Sequence, residues 1–485
     1  MATDHQDEQL FAADVTPLEP GERPFSAGMN KTFRRYDQHR QFLVPPSLDD
    51  WLPVEHPARF ISDIVDRALD LSAIYDSYEV AAGAPPFDPS MMLKLLLYGY
   101  SSGVTSSRAI ETSCWVDVAF RWLAANETPD YRSVARFRRR HLAAIEELFA
   151  QVLTLCSRAG LVKLGRVALD GTKVRASASR HKAMSYDHMG PRTEELRREV
   201  EAMLAEAEAI DAAEDEEFGA DRRGDELPPE LHTKEGRINK ILEAKAALEA
   251  EARDKAAAEA RAKAEGGDKS AEEIEQITKH AASEAVPNPR AQRNFTDPDS
   301  RIMKTADGAF HYCYNAQAVV DEAHQVIIAT SVVQEATDVR QLSPMIEQMT
   351  EQLERAGLDG QPRLLLADAG YCSKDNLEAV KDYAVDVLVA TGRTKHNERV
   401  PAAPRGRIPA DATDRERTAR RLRTKRGRAD YARRKAIVEP VFGQMKTRQH
   451  AGALRLRSLE LVRGEWLLHA LCHNLRKLAN ANMAA

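Results

Sequence analysis

The order of apolar and polar residues divides the chain into stretches of different period. From about Phe42 to His141 apolar residues recur three and four apart, as in ARFISDIVDRALDLSAIY, which predicts amphipathic helices. MMLKLLLYGYSSG predicts a short helix ending near Gly99 or Gly103, and Thr128-Pro129-Asp130 breaks the pattern before a helix that opens YRSVARFRRRHL. VALDG, residues 167–171, is short, β-branched and bounded by Gly165 and Gly171, so it predicts a buried strand ending on Asp170. Alanine-rich, highly charged sequence follows. In it Leu196, Val200, Met203, Ala207 and Ile210 keep a heptad-like spacing, Leu227-Pro228-Pro229 interrupts, and a second helical run extends to Gly266-Gly267. This reads as a charged helical hairpin inserted into another domain, with a partly disordered linker as the alternative for its acidic centre.

After Pro287 and Pro289 the period changes. FHYCYNAQAVV and QVIIATSVV predict two strands joined through Asp321-Glu322-Ala323-His324. The helix QLSPMIEQMTEQLERAG, the buried strand PRLLLADAGY ending on Asp368, the helix SKDNLEAVKDYA and the short strand VDVLVA come next. RKAIVEPVFGQMKTR and WLLHALCHNLRKLANA predict helices, the first starting or kinking at Glu439-Pro440. A strand hairpin followed by β-α-β alternation predicts a mixed sheet with helices on its faces, an α+β or α/β fold.

At 485 residues the chain is long enough for two or three domains. No apolar run reaches membrane-span length, and the N-terminus is not a signal peptide. The five Cys are scattered without a CxxC pair, which predicts small buried groups in a reducing cytosol rather than a disulfide framework or zinc ribbon. The net charge of −6 argues against a nucleic-acid partner only until it is divided by position. Residues 191–290 carry 16 Lys+Arg against 27 Asp+Glu, whereas residues 393–448 carry 18 against 6. The basic block points to a polyanion, although a solvated basic loop would look the same. Arg132, Arg136, Arg138, Arg139 and Arg140, with no acid among them, suit the last helix of a helix-turn-helix-like DNA reader.

Two strands share a pattern of apolar run, Asp and small residue, giving Asp170 and Asp368. Strand ends in α/β sheets commonly hold ligands, but an Asp there also commonly begins a turn or caps a helix. Glu439, beside Ile437, Val438, Val441 and Phe442, is a third candidate. Mg²⁺ is bound through a few carboxylates plus phosphate oxygens, so three acids from separate elements would suit phosphoryl chemistry. Spacing does not show that they converge. His311, His324, His396 and His450 have no ligand spacing. Asp297 and Asp299 flank Pro298 and read as turn formers.

VALDGTKVRA, NFTDPDSRIM…YNAQAVVD, LLLADAGYCSK and Y-x-x-R…VEPVFGQMK, in that order, resemble the DDE transposases of bacterial insertion sequences. LVPPSLDDWLPVEHPARFI, FDPSMMLKLLLYGY and TPDYRSVARFRRRH resemble their helical N-terminal domain, and EWLLHALCHNLRKL is similar to their closing helix. The resemblance implies a ribonuclease-H-like catalytic core, a mixed five-stranded sheet flanked by helices. It divides the chain into a loose polar tail (1–33), an all-α DNA-binding domain (34–150), a catalytic domain (160–190 with 287–485) and an acidic helical insertion (191–286). It makes Asp170, Asp368 and Glu439 the catalytic acids, holding two Mg²⁺ ions with Mn²⁺ as a substitute. The family's Tyr-Arg-Glu-Lys signature falls on Tyr431, Arg434, Glu439 and Lys446, but the Arg-to-Glu gap is one residue too long, which leaves Arg434 and Lys435 competing for one role. The implied activity is cleavage at element ends and strand transfer of the 3′-OH. The implied partners are double-stranded DNA (terminal inverted repeats and target) and a second copy of the chain, in a cytoplasmic, nucleoid-associated setting. A host nuclease of the same fold and a non-catalytic DNA-binding regulator are the rivals.

Overall fold

Polar caps set the early helices. They are α1 (Leu48–Trp51), α2 (Pro57–Arg67), α3 (Ser72–Tyr75), α4 (Pro89–Ser102), α5 (Ser107–Val116), α6 (Val118–Leu123), α7 (Tyr131–Arg140) and α8 (Leu142–Arg158). Asp88, Ser106, Asp117 and Asp130 each accept hydrogen bonds from the first free N–H groups of α4, α5, α6 and α7. α4 stops at Gly103, which takes the left-handed conformation at φ 88°. The computed structural model describes residues 47–78, 86–178, 183–189, 234–265, 269–392, 403 and 406–484. The polar stretch 1–33, the heptad-spaced residues from Leu196 to Ile210, the break at Leu227-Pro228-Pro229 and His396 lie outside the described residues.

The strands are β1 (Arg166–Arg175), β2 (Ala183–Ser185), β3 (Gln292–Asn294), β4 (Arg301–Lys304), β5 (Phe310–Asp321), β6 (Ile327–Val333), β7 (Leu364–Ala367) and β8 (Asp386–Val389). The later helices are α9 (Lys234–Glu265), α10 (Ala271–Ser283), α11 (Leu342–Arg355), α12 (Lys374–Ala379), α13 (Asp414–Arg423), α14 (Lys425–Arg448) and α15 (Leu459–Ala484). The main sheet is mixed. β6, β5 and β1 are antiparallel neighbours, and β7 and β8 continue parallel to β1. It has six strands where five are expected, because the four-residue β4 shares the outer edge of β5 with β6. β2 and β3 pair separately and, with Met189, Ile241, Ala244, Leu248 and Phe295, form a small apolar cluster at the foot of α9.

Two boundaries differ from the sequence reading. β1 does not end on Asp170: its antiparallel ladder with β5 continues from Asp170↔Ala318 to Arg175↔Cys313, since Gly171 is accommodated opposite Gln317. α14 neither starts nor breaks at Pro440. Proline there has no N–H for the carbonyl of Ala436 four residues back, and Gln325, in the β5–β6 turn, supplies the missing donor at 3.0 Å.

A single apolar core runs from α2, α4 and α8 through the sheet to α14 and α15. α15 closes it. The Asn474 side-chain amide pairs with both the N–H and the C=O of Ile327 at 2.8 Å each, and Cys472 lies against the Leu97 carbonyl. Asp297 and Asp299 hold the start of this helix, accepting from the N–H groups of Ser458 (3.2 Å) and Leu459 (2.9 Å). Cys114, Cys156, Cys313 and Cys472 are buried free thiols. Among the described residues no helix is long and apolar enough to cross a membrane.

Candidate active site

The parallel register of β1 and β7 brings two of the acids together. Leu169 stands beside Ala367, so the next step puts Asp170, within β1, close to Asp368, the first residue after β7. Asp368 also caps the short turn that follows β7, accepting from the Gly370 N–H at 2.7 Å. The turn-forming reading of an Asp after a buried strand therefore holds for Asp368. α14 crosses the sheet here. Its buried side includes Ile437, Val438, Val441 and Met445, and Arg434 is drawn in with them, its side chain 8% exposed.

Arg434 links the acids. Its guanidinium donates to Asp170 Oδ2 at 2.8 Å, and its other terminal nitrogen lies 3.9 Å from Glu439 Oε1. Lys435, one position on, faces solvent, so helix geometry puts Arg434 and not Lys435 at the acids. Burial raises the Asp170 carboxyl above its ordinary range; the Arg434 charge opposes this and the Asp368 charge adds to it. Burial would lower the Arg434 guanidinium, but the Asp170 charge and hydrogen bond, with the Asp368 charge, help raise the group overall. Tyr431 is half-buried beside Arg434, and burial raises its phenol. Lys446, two turns beyond Glu439, donates to Thr172 Oγ1 at 2.6 Å and to the Lys173 carbonyl at 3.2 Å. Burial lowers its ammonium.

The carboxylate oxygens are hard donors suited to a divalent cation that keeps water and phosphate ligands. Among the described residues, however, no three His, Cys, Asp or Glu side chains stand close enough to form a complete protein ligand set. Asp170 and Glu439 meet across the Arg434 guanidinium rather than directly.

A second layer lies behind the site and is not anticipated from the sequence. Gly171 faces the opposite side of the sheet from Asp170. A Cβ at this position would come within 2.5 Å of Gln317 Nε2 and 2.6 Å of Asp338 Oδ1. Asp338 accepts from Asn315 Nδ2 (2.7 Å) and Gln317 Nε2 (2.8 Å), with Lys173 Nζ at 3.8 Å. The Tyr371 hydroxyl bonds Gln317 Oε1, and burial drives that phenol far above its usual range. The available signal was the pair of amides, Asn315 and Gln317, inside the otherwise mostly apolar strand FHYCYNAQAVVD.

The arginines of α7 do not form one surface. Arg132, Arg136 and Arg139 are exposed, with Arg132 stacked on Tyr131. Arg138, expected on the DNA-facing side, is instead 5% exposed and donates to the Tyr100 hydroxyl (2.8 Å) and the Thr105 carbonyl (3.0 Å). Tyr100 in turn bonds Glu465 of α15 at 3.1 Å. The helical period puts Arg138 in line with Val134, on the packed face. His311 and His450 bond Arg175 and the Gly103 carbonyl respectively.

Residues 286–475 match the family described as Transposase DDE domain, and residues 46–140 match the one described as Transposase domain (DUF772). No curated protein and no solved structure matches the chain. With both family models matched in sequence order over more than half of its residues, the chain belongs to the DDE-type transposases of insertion sequences.

Proposed function

We propose that the chain cleaves DNA at the ends of its element and joins the freed 3′-OH to target DNA, with Asp170, Asp368 and Glu439 holding two Mg²⁺ ions. One observation carries this reading: acids 198 and 71 residues apart in sequence are brought near one another, Asp170 and Glu439 at one guanidinium and Asp368 beside Asp170. Bound Mg²⁺ would activate the attacking oxygen and stabilise the leaving one during in-line displacement. The rest is done by the chain's own groups. β1 and β7, locked in register, fix the two aspartates. Arg434 balances the buried Asp170 charge, and its Nε, buried without a partner, leaves a donor for a phosphate oxygen. Lys446 places a cation two residues along β1 from Asp170, where it would hold a phosphate next to the scissile bond, with Tyr431 on the Arg434 side. The order β6-β5-β1-β7-β8 supports a ribonuclease-H-like core. Arg132, Arg136 and Arg139 are the α7 side chains left to meet DNA, and two copies would act together on two ends.

The test is Mg²⁺-dependent cutting of end-bearing DNA by Asp170→Asn and Glu439→Gln. Both are expected to abolish cleavage while the protein still binds the ends. Wild-type cutting by either would end the metal-site assignment. Joining of pre-cut ends to a target by the wild type separates a transposase from a nuclease that only cuts.

A further inference from the structure

α14 carries a second set of polar groups on its other side. Gln444 and Arg448 lie two residues either side of Lys446, which by helical period turns them away from the acids. With Gln449, and with Arg476, Lys477 and Asn480 of α15, they line a cleft of about 130 Å³, large enough for several waters or one oxyanion. The cleft contains three cations and no carboxylate. Among the described residues none of the three forms an ion pair. Besides burial, the Arg448 charge depresses Arg476, and the Arg476 charge depresses Lys477.

Three like charges lining one space are unfavourable without a counter-charge, and the partner of Lys477, Gln325 Oε1 at 3.1 Å, is neutral. Gln449 adds an independent sign. Its residue is 1% exposed, and neither its Nε2 nor its Oε1 has a hydrogen-bond partner. A buried amide left unpaired is costly, and one lining a cationic cleft is ready to donate to an anion. A larger cleft of about 790 Å³ against α2 shares Arg448, Arg476 and Asn480 with it.

We propose that this cleft binds a backbone phosphate of DNA, with Arg448 and Arg476 as charge partners and the Gln449 amide donating to a phosphate oxygen. Arg448 lies about 14 Å along α14 from Glu439 at 1.5 Å per residue, so the two faces of one helix would engage DNA at separate points. The proposal takes the transposase assignment as given but does not depend on the three-acid chemistry.

The experiment uses the full chain and a fluorescent duplex of arbitrary sequence, with affinity measured over a series of NaCl concentrations. The double variant Arg448→Gln/Arg476→Gln is expected to bind several-fold more weakly at low salt. The slope of log K against log[NaCl] should become shallower by about 0.9 for each phosphate that the variant no longer neutralises. Gln449→Met removes the unpaired amide, so it should be at least as resistant to urea as wild type yet bind DNA more weakly; it serves if the double variant does not fold. Unchanged affinity and slope in a folded variant would overturn the proposal. Stabilisation of wild type but not the variant by inorganic phosphate, with an unchanged DNA slope, would also overturn it, by showing a site for the free anion.

Discussion

Replacing Arg434 with Gln tests how Asp170 is held. The substitution keeps the length and polarity of the side chain but removes its charge. Asp170 retains only 19% of its side-chain surface and would lose its 2.8 Å ion pair. Removing one partner of a buried pair costs about 3–5 kcal/mol; allowing for the residual exposure of Asp170, about 2–4 kcal/mol is expected near neutral pH. The sign with pH follows from the raised Asp170 carboxyl. A carboxyl whose folded pKa lies above its unfolded value destabilises the fold when ionised, and that penalty disappears as pH falls through the folded pKa. Losing the guanidinium raises this pKa further, so the gap between variant and wild type should narrow on acidification. Urea denaturation at pH 7.5 and pH 5 measures it. Added Mg²⁺ should recover part of the loss at pH 7.5, because an ion bound only by the folded state stabilises it. A deficit equal at both pH values, or none at pH 7.5, would refute the claim that Arg434 neutralises Asp170.

Gly171→Ala forces a methyl in between Gln317 and Asp338, so urea melts should show a loss of about 2–4 kcal/mol. Asp338→Ala in the same chain should be less harmful than in wild type. Arg138→Met should destabilise by roughly 3 kcal/mol by breaking the buried link from Thr105 to Tyr100, whereas Arg136→Ala and Arg139→Ala should stay within about 0.5 kcal/mol and weaken DNA binding instead. Burial pushes His469 down to about 3 and His473 to about 4, against a usual value near 6.5. Both are neutral in the fold, so stability is full above about pH 6.5 and falls as acid charges the unfolded chain. The loss should approach roughly 2 kcal/mol per histidine by pH 5, read from denaturant midpoints.

Local pattern carried the strands and most helices. VALDG and LLLAD announce buried strands, and MMLKLLLYGYSSG and YRSVARFRRRHL announce α4 and α7. The nearness of Asp170 and Asp368 was not legible, because it depends on a parallel register that no local spacing encodes. The choice between Arg434 and Lys435 needed the direction of α14, which its packed side of Ile437, Val438, Val441 and Met445 sets. Pro440 looked like a break because the donor that rescues the Ala436 carbonyl comes from Gln325, 111 residues away. Asp338 sits in a polar loop after β6, and nothing in its local sequence announces that the amides of β5 meet it. Arg138 was misplaced because a run of arginines hides which one lies in line with the apolar positions.

The closing of the core by α15 sets a timetable for synthesis. Tyr100 waits 365 residues for Glu465, and Leu97 waits still longer for Cys472. At 5–20 residues per second that is roughly 20–70 s, during which the part of α4 that α15 covers stays open on a nascent chain, with only α2 and α5–α7 packed on the rest. Early helices must therefore persist half-assembled, or shielded by other proteins, until the Trp466 segment emerges. A message cut short before residue 459 would not yield a free, stable N-terminal fragment. It would yield a chain with one wall of its interior missing, suited to aggregation and degradation rather than to competing with the full-length enzyme for DNA.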